Sequence, residues 1–584
     1  MSVVLEANEP SAKYLSALQP QLVQHFELLG TAPGGVARLR ELILTLAVQG
    51  KLEPQDPSDE PASELLRRIQ SEKDRLIAEG KIKRGKPLAE ISQEEEPFSL
   101  PRGWEWVRLN SLLQKIGAGS TPLGGREVYV PNGAKFLRSQ NVWNDGLRLD
   151  GVAFIKPETH AKMNGTVVLP NDLLFNITGA SIGRCAVVPS DFDEANVSQH
   201  VTIVRTVMPE LNEYLHKVLV SRHVQQAVMD VQVGVSREGL SIAKLGQFLI
   251  PVPPLAEQSR IVTRVEELMR LCDALEAKGE LEAAQHAQLV QTLMGAMTAS
   301  TTPDELSDNW QRVATHFDLL LDRTSSLDAL EQTILQLAVR GLLVPQDPND
   351  EPASVLLQKI RAEKDRLIAE GKIKRDKLLP QVDEGEKPFA VPSTWEWVRL
   401  GQIADSRLGK MLDKAKNSGK RYPYLRNTNV QWHHIDLSDI KEISLEAFEL
   451  EEFRLRQGDL LICEGGYPGR CAIWNESNKE MYFQKALHRV RPFGGIPAEF
   501  LTFSLEADSR SGALEKYFTG ATIKHFVGQA LDSYLVPLPP SAELTRIVAR
   551  VASLRRLCAD LRQHLASRQT TQAHLAEALI DEVA

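Results

Sequence analysis

Two short strings in the chain carry side chains suited to reading the edge of a base. Leu137-Arg138-Ser139-Gln140-Asn141-Val142 and Leu425-Arg426-Asn427-Thr428-Asn429-Val430 each combine a guanidinium fork with amides and a hydroxyl, the groups that pair in register with guanine and adenine in the DNA major groove. A second pair of strings, NITGASIGR (176–184) and EGGYPGR (464–470), is rich in glycine and ends in arginine. Such turns let backbone and guanidinium approach a phosphate, which makes Asn176, Thr178, Ser181, Arg184, Glu464 and Arg470 candidate contacts. Lys410, Lys414, Lys416, Lys420 and Arg421 form the one obvious basic run, and Lys410 opens it. The same residues also suit tight turns between core strands, with the arginines in internal salt bridges.

Residues that make or break covalent bonds are not found in a convincing arrangement. No G-x-x-x-x-G-K-[ST] string offers a phosphate cradle, and no turn fits G-x-G-x-x-G. Pro251-Val252-Pro253-Pro254-Leu255 superficially matches the Asn/Asp-Pro-Pro-aromatic site of DNA adenine methyltransferases, but Val252 cannot accept an amino hydrogen bond and Leu255 cannot stack on a flipped base. It reads as a linker into a helix. His433-His434 lacks a carboxylate or cysteine at metal-ligand spacing, and Glu276-Ala277-Lys278 falls on a helical rod where a solvent-facing charge pattern explains it. The five cysteines include no C-x-x-C pair, so neither a zinc site nor a secreted disulfide framework is expected, and a reduced cytoplasmic setting is. The first residues lack a signal-peptide pattern, and no run of about 18 apolar residues occurs, so neither export nor a membrane span is expected.

The elements that must hold these strings are written twice. Residues 46–109 recur at 337–400 without a gap, with 42 of 64 positions identical, and Glu72 to Arg84 repeats as Glu363 to Arg375 unchanged. Upstream, His25-Phe26-Glu27-Leu28-Leu29 answers to His316-Phe317-Asp318-Leu319-Leu320, and Pro251 to Cys272 answers to Pro537 to Cys558. The segments between, 110–250 and 401–536, resemble each other only at islands. Ile261, Val265, Leu268, Cys272 and Leu275 step by four and three, as do Ile547, Val551, Leu554, Cys558 and Leu561, which predicts two coiled-coil rods. Pro61 and Pro352 suit first helical turns, with Gly80 and Gly371 near the ends. The inserts carry short β-branched and aromatic runs broken by Gly, Pro and Asn, such as VAFI (152–155) and CAVVP (185–189), which read as strands.

Net charge is −9, which taken alone opposes a polyanion. The two inserts together sum to +1, however, and the helical frame carries −10. Only the inserts tolerate DNA, and only on one face.

PVPPLAEQSRIV (251–262), LAVRGLLVPQDPNDEPAS (337–354), the GWEWVRL and TWEWVRL strings and the insert islands closely resemble the DNA-specificity subunit of type I restriction-modification systems over nearly the whole chain. That resemblance implies two mixed α/β target-recognition domains joined by long antiparallel coiled-coil helices with pseudo-twofold symmetry. It divides the chain into an N-terminal helical region (1–99), a recognition domain (100–250), a central helical spacer (251–390), a second recognition domain (391–536) and a C-terminal helical spacer (537–584). It implies a non-catalytic chain that binds double-stranded DNA, two methyltransferase subunits and a restriction helicase-nuclease. S-adenosylmethionine, ATP and magnesium then belong to those partners. The helical stretch before the first insert departs from the shortest family pattern. A stand-alone methyltransferase or nuclease, and a scaffold that never touches DNA, are the rival readings.

Overall fold

The computed structural model describes residues 29–30, 32–85, 88–233, 239–373, 379–412 and 419–583. Residues 25–28 of the upstream repeat, and Lys414 and Lys416 of the basic run, lie outside them. The chain forms two units, 1–281 with 569–584 and 282–568.

In the first unit helix α1 (Gly35–Val48) buries Leu39, Leu42, Ile43 and Leu46, a stripe at helical spacing, whereas α2 (Ala62–Ala78) buries only Ala62, Leu65 and Ile69. Pro61 and Pro352 stand at the N-cap in extended conformation, one position before the expected first turn. Strand β1 (Glu105–Arg108) pairs antiparallel with β13 (Leu249–Val252), placing Trp106 across from Pro251. The repeated GWEWVRL and PVPPL strings are therefore partners across a clasp, and Pro251 and Val252, expected as linker, are strand residues. Pro251 tolerates the strand because a two-stranded ribbon has free edges.

Between the halves of the clasp lie two sheets. One is antiparallel, ordered β10 (Cys185–Val187), β9 (Leu173–Asn176), β12 (Val201–Thr206), β2 (Leu113–Ala118). The other is ordered β3 (Tyr129–Val130), β7 (Ala153–Ile155), β4 (Ala134–Leu137), β11 (Ala195–Val197), β8 (Val167–Val168), with β4 and β11 parallel. Alternation along β9 sends Leu174 into the core between the sheets, with Leu137 and Val197, and sends Leu173 and Phe175 the other way, against helices. Those helices include α3 (Asn212–Val220) and α4 (Arg222–Val233). A hairpin of β5 (Val142–Trp143) and β6 (Gly146–Leu147) projects beside β10.

Helix α5 (Leu255–Ala299) leaves the first unit and ends in the second, which adds α6 (Pro303–Thr315), α7 (Thr324–Val339) and α8 (Ala353–Ala369). Its clasp is β14 (Glu396–Arg399) with β24 (Leu535–Leu538). One sheet runs β15 (Ala404–Leu408), β23 (Leu487–Pro492), β20 (Leu460–Cys463), β21 (Cys471–Ile473), and the other β19 (Lys441–Leu445), β16 (Lys420–Leu425), β22 (Tyr482–Phe483), with β16 and β22 parallel. The matching hairpin is β17 (Val430–Gln431) and β18 (His434–Ile435), and α9 (Ala498–Ser511) covers the sheet. The last helix, α10 (Ser541–Val583), starts in this unit and finishes in the first.

The rods are thus continuous helices of 45 and 43 residues, about 65 Å each. Each unit takes the head of one rod and the tail of the other, the exchange that two antiparallel helices make. Ile261, Val265, Leu268 and Cys272 are buried in the first core, and Ile547, Val551 and Cys558 in the second. The repeated frame residues anchor the rod heads. Glu257, the third residue of α5, is buried and accepts from Trp104 Nε1 at 3.0 Å and Gln55 Nε2 at 3.1 Å. Glu543 of α10 accepts from Trp395 Nε1 at 2.9 Å and Gln346 Nε2 at 2.5 Å. Burial pushes both carboxyls above their usual range.

Candidate nucleic-acid interface

In the first domain the turn after β4 is built by its own amide. Asn141 is 1% exposed, accepts the Arg138 backbone N–H at 3.0 Å and donates to the Arg148 carbonyl at 2.8 Å. Asn176, fully buried at the end of β9, donates to the Ser139 carbonyl at 2.9 Å and to Ser181 Oγ at 3.2 Å. Both asparagines, expected to face a base, have their amides engaged within the domain: Asn141 closes its own turn, and Asn176 ties the two loops together. They also bring 138–141 and 176–184 to one place. Thr178 Oγ1 lies 2.6 Å from His200 Nδ1, and Arg138 donates through Nη2 to the Gly151 carbonyl at 3.4 Å. Gln140 points into solvent.

Beneath Gln140 stands Trp143, whose Nε1 donates to the Gln140 carbonyl at 2.9 Å. The guanidinium groups of Arg148 and Arg184 each lie 3.7 Å from its ring centroid. Two such groups cannot share one face at that distance, so the indole is sandwiched. Arg184 is consequently stacked rather than extended toward a ligand.

The second domain repeats the scheme with other residues. Asn429, 3% exposed, accepts the Arg426 backbone N–H at 2.9 Å and donates to the Asp436 carbonyl at 2.9 Å, the same correction as for Asn141. Asn427 Nδ2 donates to the Gly465 carbonyl at 3.1 Å, and Arg470 Nη2 donates to the Asn427 carbonyl at 3.0 Å with its guanidinium 4.8 Å from the Tyr467 ring centre. Arg426 is held by Asp439 at 2.5 Å, and Lys410 is paired with the buried Glu449. Both cations, expected to meet DNA, are neutralised within the domain. Glu464 enters through its backbone, donating to the Ala486 carbonyl at 2.9 Å and accepting from Phe526 at 2.7 Å. Thr428 is exposed at the position matching Gln140, and Gln431 Nε2 braces its carbonyl at 3.0 Å just as Trp143 braces that of Gln140.

A third loop joins each face. Gly119 donates to the Val201 carbonyl and Gly409 to the Leu487 carbonyl, at 2.9 and 3.0 Å. A Cβ on Gly119 would sit 1.9 Å from the Val197 oxygen and one on Gly409 2.3 Å from the Gln484 oxygen, so only glycine lets the chain pass. The connections after β11 and β22 then present Gln199 and Lys485 at matching exposed positions. Tyr467 and Ile523, 69% and 65% exposed, complete the second face, the latter on the loop closed by Thr519 and His525. None of Gln199, Lys485, Tyr467 and Ile523 belonged to the candidates. The signal for the first two was the glycine at the end of β2 and of β15, which marks a close backbone crossing.

The undersides of the two hairpins differ. In the second domain the β17–β18 turn holds His433 at φ +59°, in the left-handed region, with Nε2 2.6 Å from Glu506 Oε2. Glu506 of α9 is 1% exposed and also accepts from Arg510 at 2.6 Å and from Arg555 of α10 at 2.5 Å. Burial alone would raise this carboxyl; the His433 hydrogen bond and the surrounding positive charge outweigh it and hold the group at about 2. In the first domain, Asn144 Oδ1 accepts from the Cys185 N–H at 3.1 Å, and His216 on α3 approaches the Cys185 carbonyl at 2.9 Å, its imidazole pushed down to about 4 by burial.

The two faces offer amide, hydroxyl, ammonium and aromatic groups on rigid turns, which is the equipment of recognition. Among the described residues no group of three or more His, Cys, Asp or Glu is placed to hold a metal ion, and no helix is long and apolar enough to cross a membrane.

A family model for the type I restriction modification DNA specificity domain matches the chain twice, over 101–285 and 392–568. The specificity subunit of the type I restriction enzyme EcoEI of Escherichia coli is 35% identical over 567 residues, covering 94% of this chain and 93% of that one. That of EcoAI, also from Escherichia coli, is 36% identical over 566 residues with the same coverage. Among solved structures, the HsdS subunit from Thermoanaerobacter tengcongensis aligns over 83% of this chain and 98% of its own, at 19% identity and a TM-score of 0.41.

Proposed function

Because the chain belongs to the type I restriction-modification DNA-specificity family, we propose that each of its two faces reads one half of a bipartite DNA target while the duplicated frame docks two methyltransferase subunits. The chain is the recognition subunit and carries no catalysis of its own. The observation that supports this division is that one frame, with the same clasp, the same rod anchor and the same braced turn, carries two unlike faces. Identical frames serve identical partners; unlike faces serve unlike half-sites. S-adenosylmethionine is used by the methyltransferase subunits, ATP and magnesium by the restriction subunit, and the assembly works in the cytoplasm.

Within this reading Gln140, Gln199, Thr428, Lys485 and Tyr467 reach DNA, while Arg138, Asn141, Asn176, Arg426 and Asn429 shape the turns that carry them. The test is to map methylated sites made by the assembled complex. Gln140→Ala with Gln199→Ala should relax one half-site and leave the other unchanged. An unaltered target from that double variant, with normal methylation rate, overturns the placement of the reading face.

A further inference from the structure

At the first face, Gly119 opens a loop that holds one apolar side chain out in solvent. Ser120 donates its backbone N–H to the Val197 carbonyl at 3.1 Å, and Thr121 Oγ1 donates to Gln199 Oε1 at 2.5 Å. These bonds fasten the loop beside Gln199, which, with Oε1 engaged, offers its NH2 group to a ligand. Pro122 is buried, and its ring fixes the backbone there. The chain then turns through Gly124 and Gly125, at φ +115° and +60°, in the region that favours glycine. A Cβ on Gly124 would lie 2.6 Å from Cγ1 of the buried Val128. Between the buried proline and the turning glycine stands Leu123, 93% exposed, the most exposed large apolar side chain among the described residues.

An exposed leucine is ordinary on a protein surface. This one is distinguished by its footing, fixed on both sides, and by its place on the same face as Gln140 and Gln199. Its neighbours Ser120, Thr121, Arg126 and Glu127 are exposed and polar or charged. A protein interface of roughly 800 Å² per partner needs an apolar centre, which one leucine among polar side chains does not supply. A base step does not need one: two stacked base pairs part to admit a single aliphatic side chain, while a neighbouring cation meets the phosphate. Arg126, three positions on, is such a cation. The corresponding loop of the second domain, after Gly409, also exposes a leucine, Leu412, although the two inserts share few residues.

We propose that Leu123 is a wedge that enters between two base pairs at the half-site read by the first face, partly unstacking them and kinking the duplex, with Arg126 on the adjoining phosphate. The proposal rests on the reading that this face binds DNA, and adds to it a recognition step that uses no hydrogen bond to a base edge. Steps that unstack readily, a pyrimidine followed by a purine, are favoured there, so sequence preference arises at a position whose base edges are not contacted.

The experiment uses the full chain assembled with its methyltransferase subunits, on duplexes carrying its mapped target. 2-Aminopurine, which brightens when unstacked, is placed at one position at a time through the first half-site and its flanks. The methylated base brightens in any case, because a methyltransferase extrudes it. One further position should brighten several-fold in the wild type, lose that signal in Leu123→Ala and keep it in Leu123→Met, with the signal at the methylated base unchanged throughout. A mismatch at that further position, already unstacked, should tighten binding by the wild type about tenfold and leave Leu123→Ala unaffected. Arg126→Ala should lower the salt slope by about one unit. A wild type with no second bright position overturns the proposal, as does a second bright position that survives in Leu123→Ala. Deoxyuridine in place of thymine that weakens the wild type but not Leu123→Ala, without brightening, makes Leu123 a contact to a thymine methyl and also overturns it. None of these three results touches the half-site reading. That reading is decided separately by Gln140→Ala with Gln199→Ala, whose unaltered target would overturn it whatever Leu123 does.

Discussion

The two recognition domains answer one positioning problem with different physics. The first steadies its hairpin through an indole between two guanidiniums and sets apolar Val220 and Met269 against its core where the second has Glu506 and Arg555. The second pins its hairpin to α9 and α10 through a buried carboxylate bonded to one histidine and two arginines. The frame dictates where a reading turn must sit, but not what holds it there. A face is therefore transferable only together with its brace, and in the second domain that brace lies in elements distant in sequence from the turn.

The comparison is most easily broken at Glu506. Glu506→Ala should strip His433, Arg510 and Arg555 of their shared partner and destabilise the second unit by about 3–5 kcal/mol, while Val220→Ala should cost the first roughly 1 kcal/mol. Hydrogen exchange resolved by segment checks both, and similar losses in the two units would show that the buried charge is not the distinguishing brace.

Acid should separate the units next. The Glu506 carboxyl is held below its ordinary value, at about 2, so the stability it contributes is present above the ordinary carboxylate range and is lost as pH falls from about 4.5 to about 2. His216 is neutral in the first core, held down at about 4, so stability there is lost between about 6.5 and 4, where the unfolded chain takes up a proton that the folded chain refuses. Each effect amounts to about 3 kcal/mol at most. Glu506→Gln should flatten the lower window and His216→Thr, the residue found at matching position 502, the upper; urea midpoints followed against pH for each unit provide the check, and unchanged slopes would contradict the assignment.

Smaller effects sharpen the contrast at the faces. Trp143→Ala should free both arginines and the Gln140 carbonyl and weaken discrimination at one half-site by roughly 2 kcal/mol, whereas Gln431→Ala loses one hydrogen bond and about 1 kcal/mol at the other. Methylation mapping against single-base substitutions measures both. Smallest is the split between Gln199 and Lys485. Lys485→Ala should lower the salt slope of DNA binding by about one unit, and Gln199→Ala should leave it unchanged. Equal slopes would place Lys485 away from the phosphates.

Much of this architecture was legible in the residues. The 291-residue offset showed two copies of one frame, the four-three spacing showed the rods, and the islands marked the turns that meet at each face. Side-chain direction was the part not legible. Asn141, Asn176 and Asn429 have the donors and acceptors that read adenine, but the same groups close turns, and nothing in a string of letters says which way an amide points. The ion-pair partners of Arg426 and Lys410, Asp439 and Glu449, lie 13 and 39 positions away, outside any local string. Gln199 and Lys485 escaped notice because parallel pairing, β4 with β11 and β16 with β22, brings them to the face from about 60 residues downstream of the turn.

The exchange of rod tails also orders events in time. Ala576 is buried in the core of the first unit, and the Arg38 guanidinium donates to the Ala573 carbonyl at 2.9 Å. That unit therefore cannot close until residues 569–583 have left the ribosome, some 288 positions after its own body ends at Leu281. At roughly 5–20 residues per second the wait is about 15–60 s, during which the places of Ala573 and Ala576 stay unfilled. The second unit needs nothing beyond residue 568 and is complete first, so the half of the molecule synthesised earlier is the half that finishes folding later.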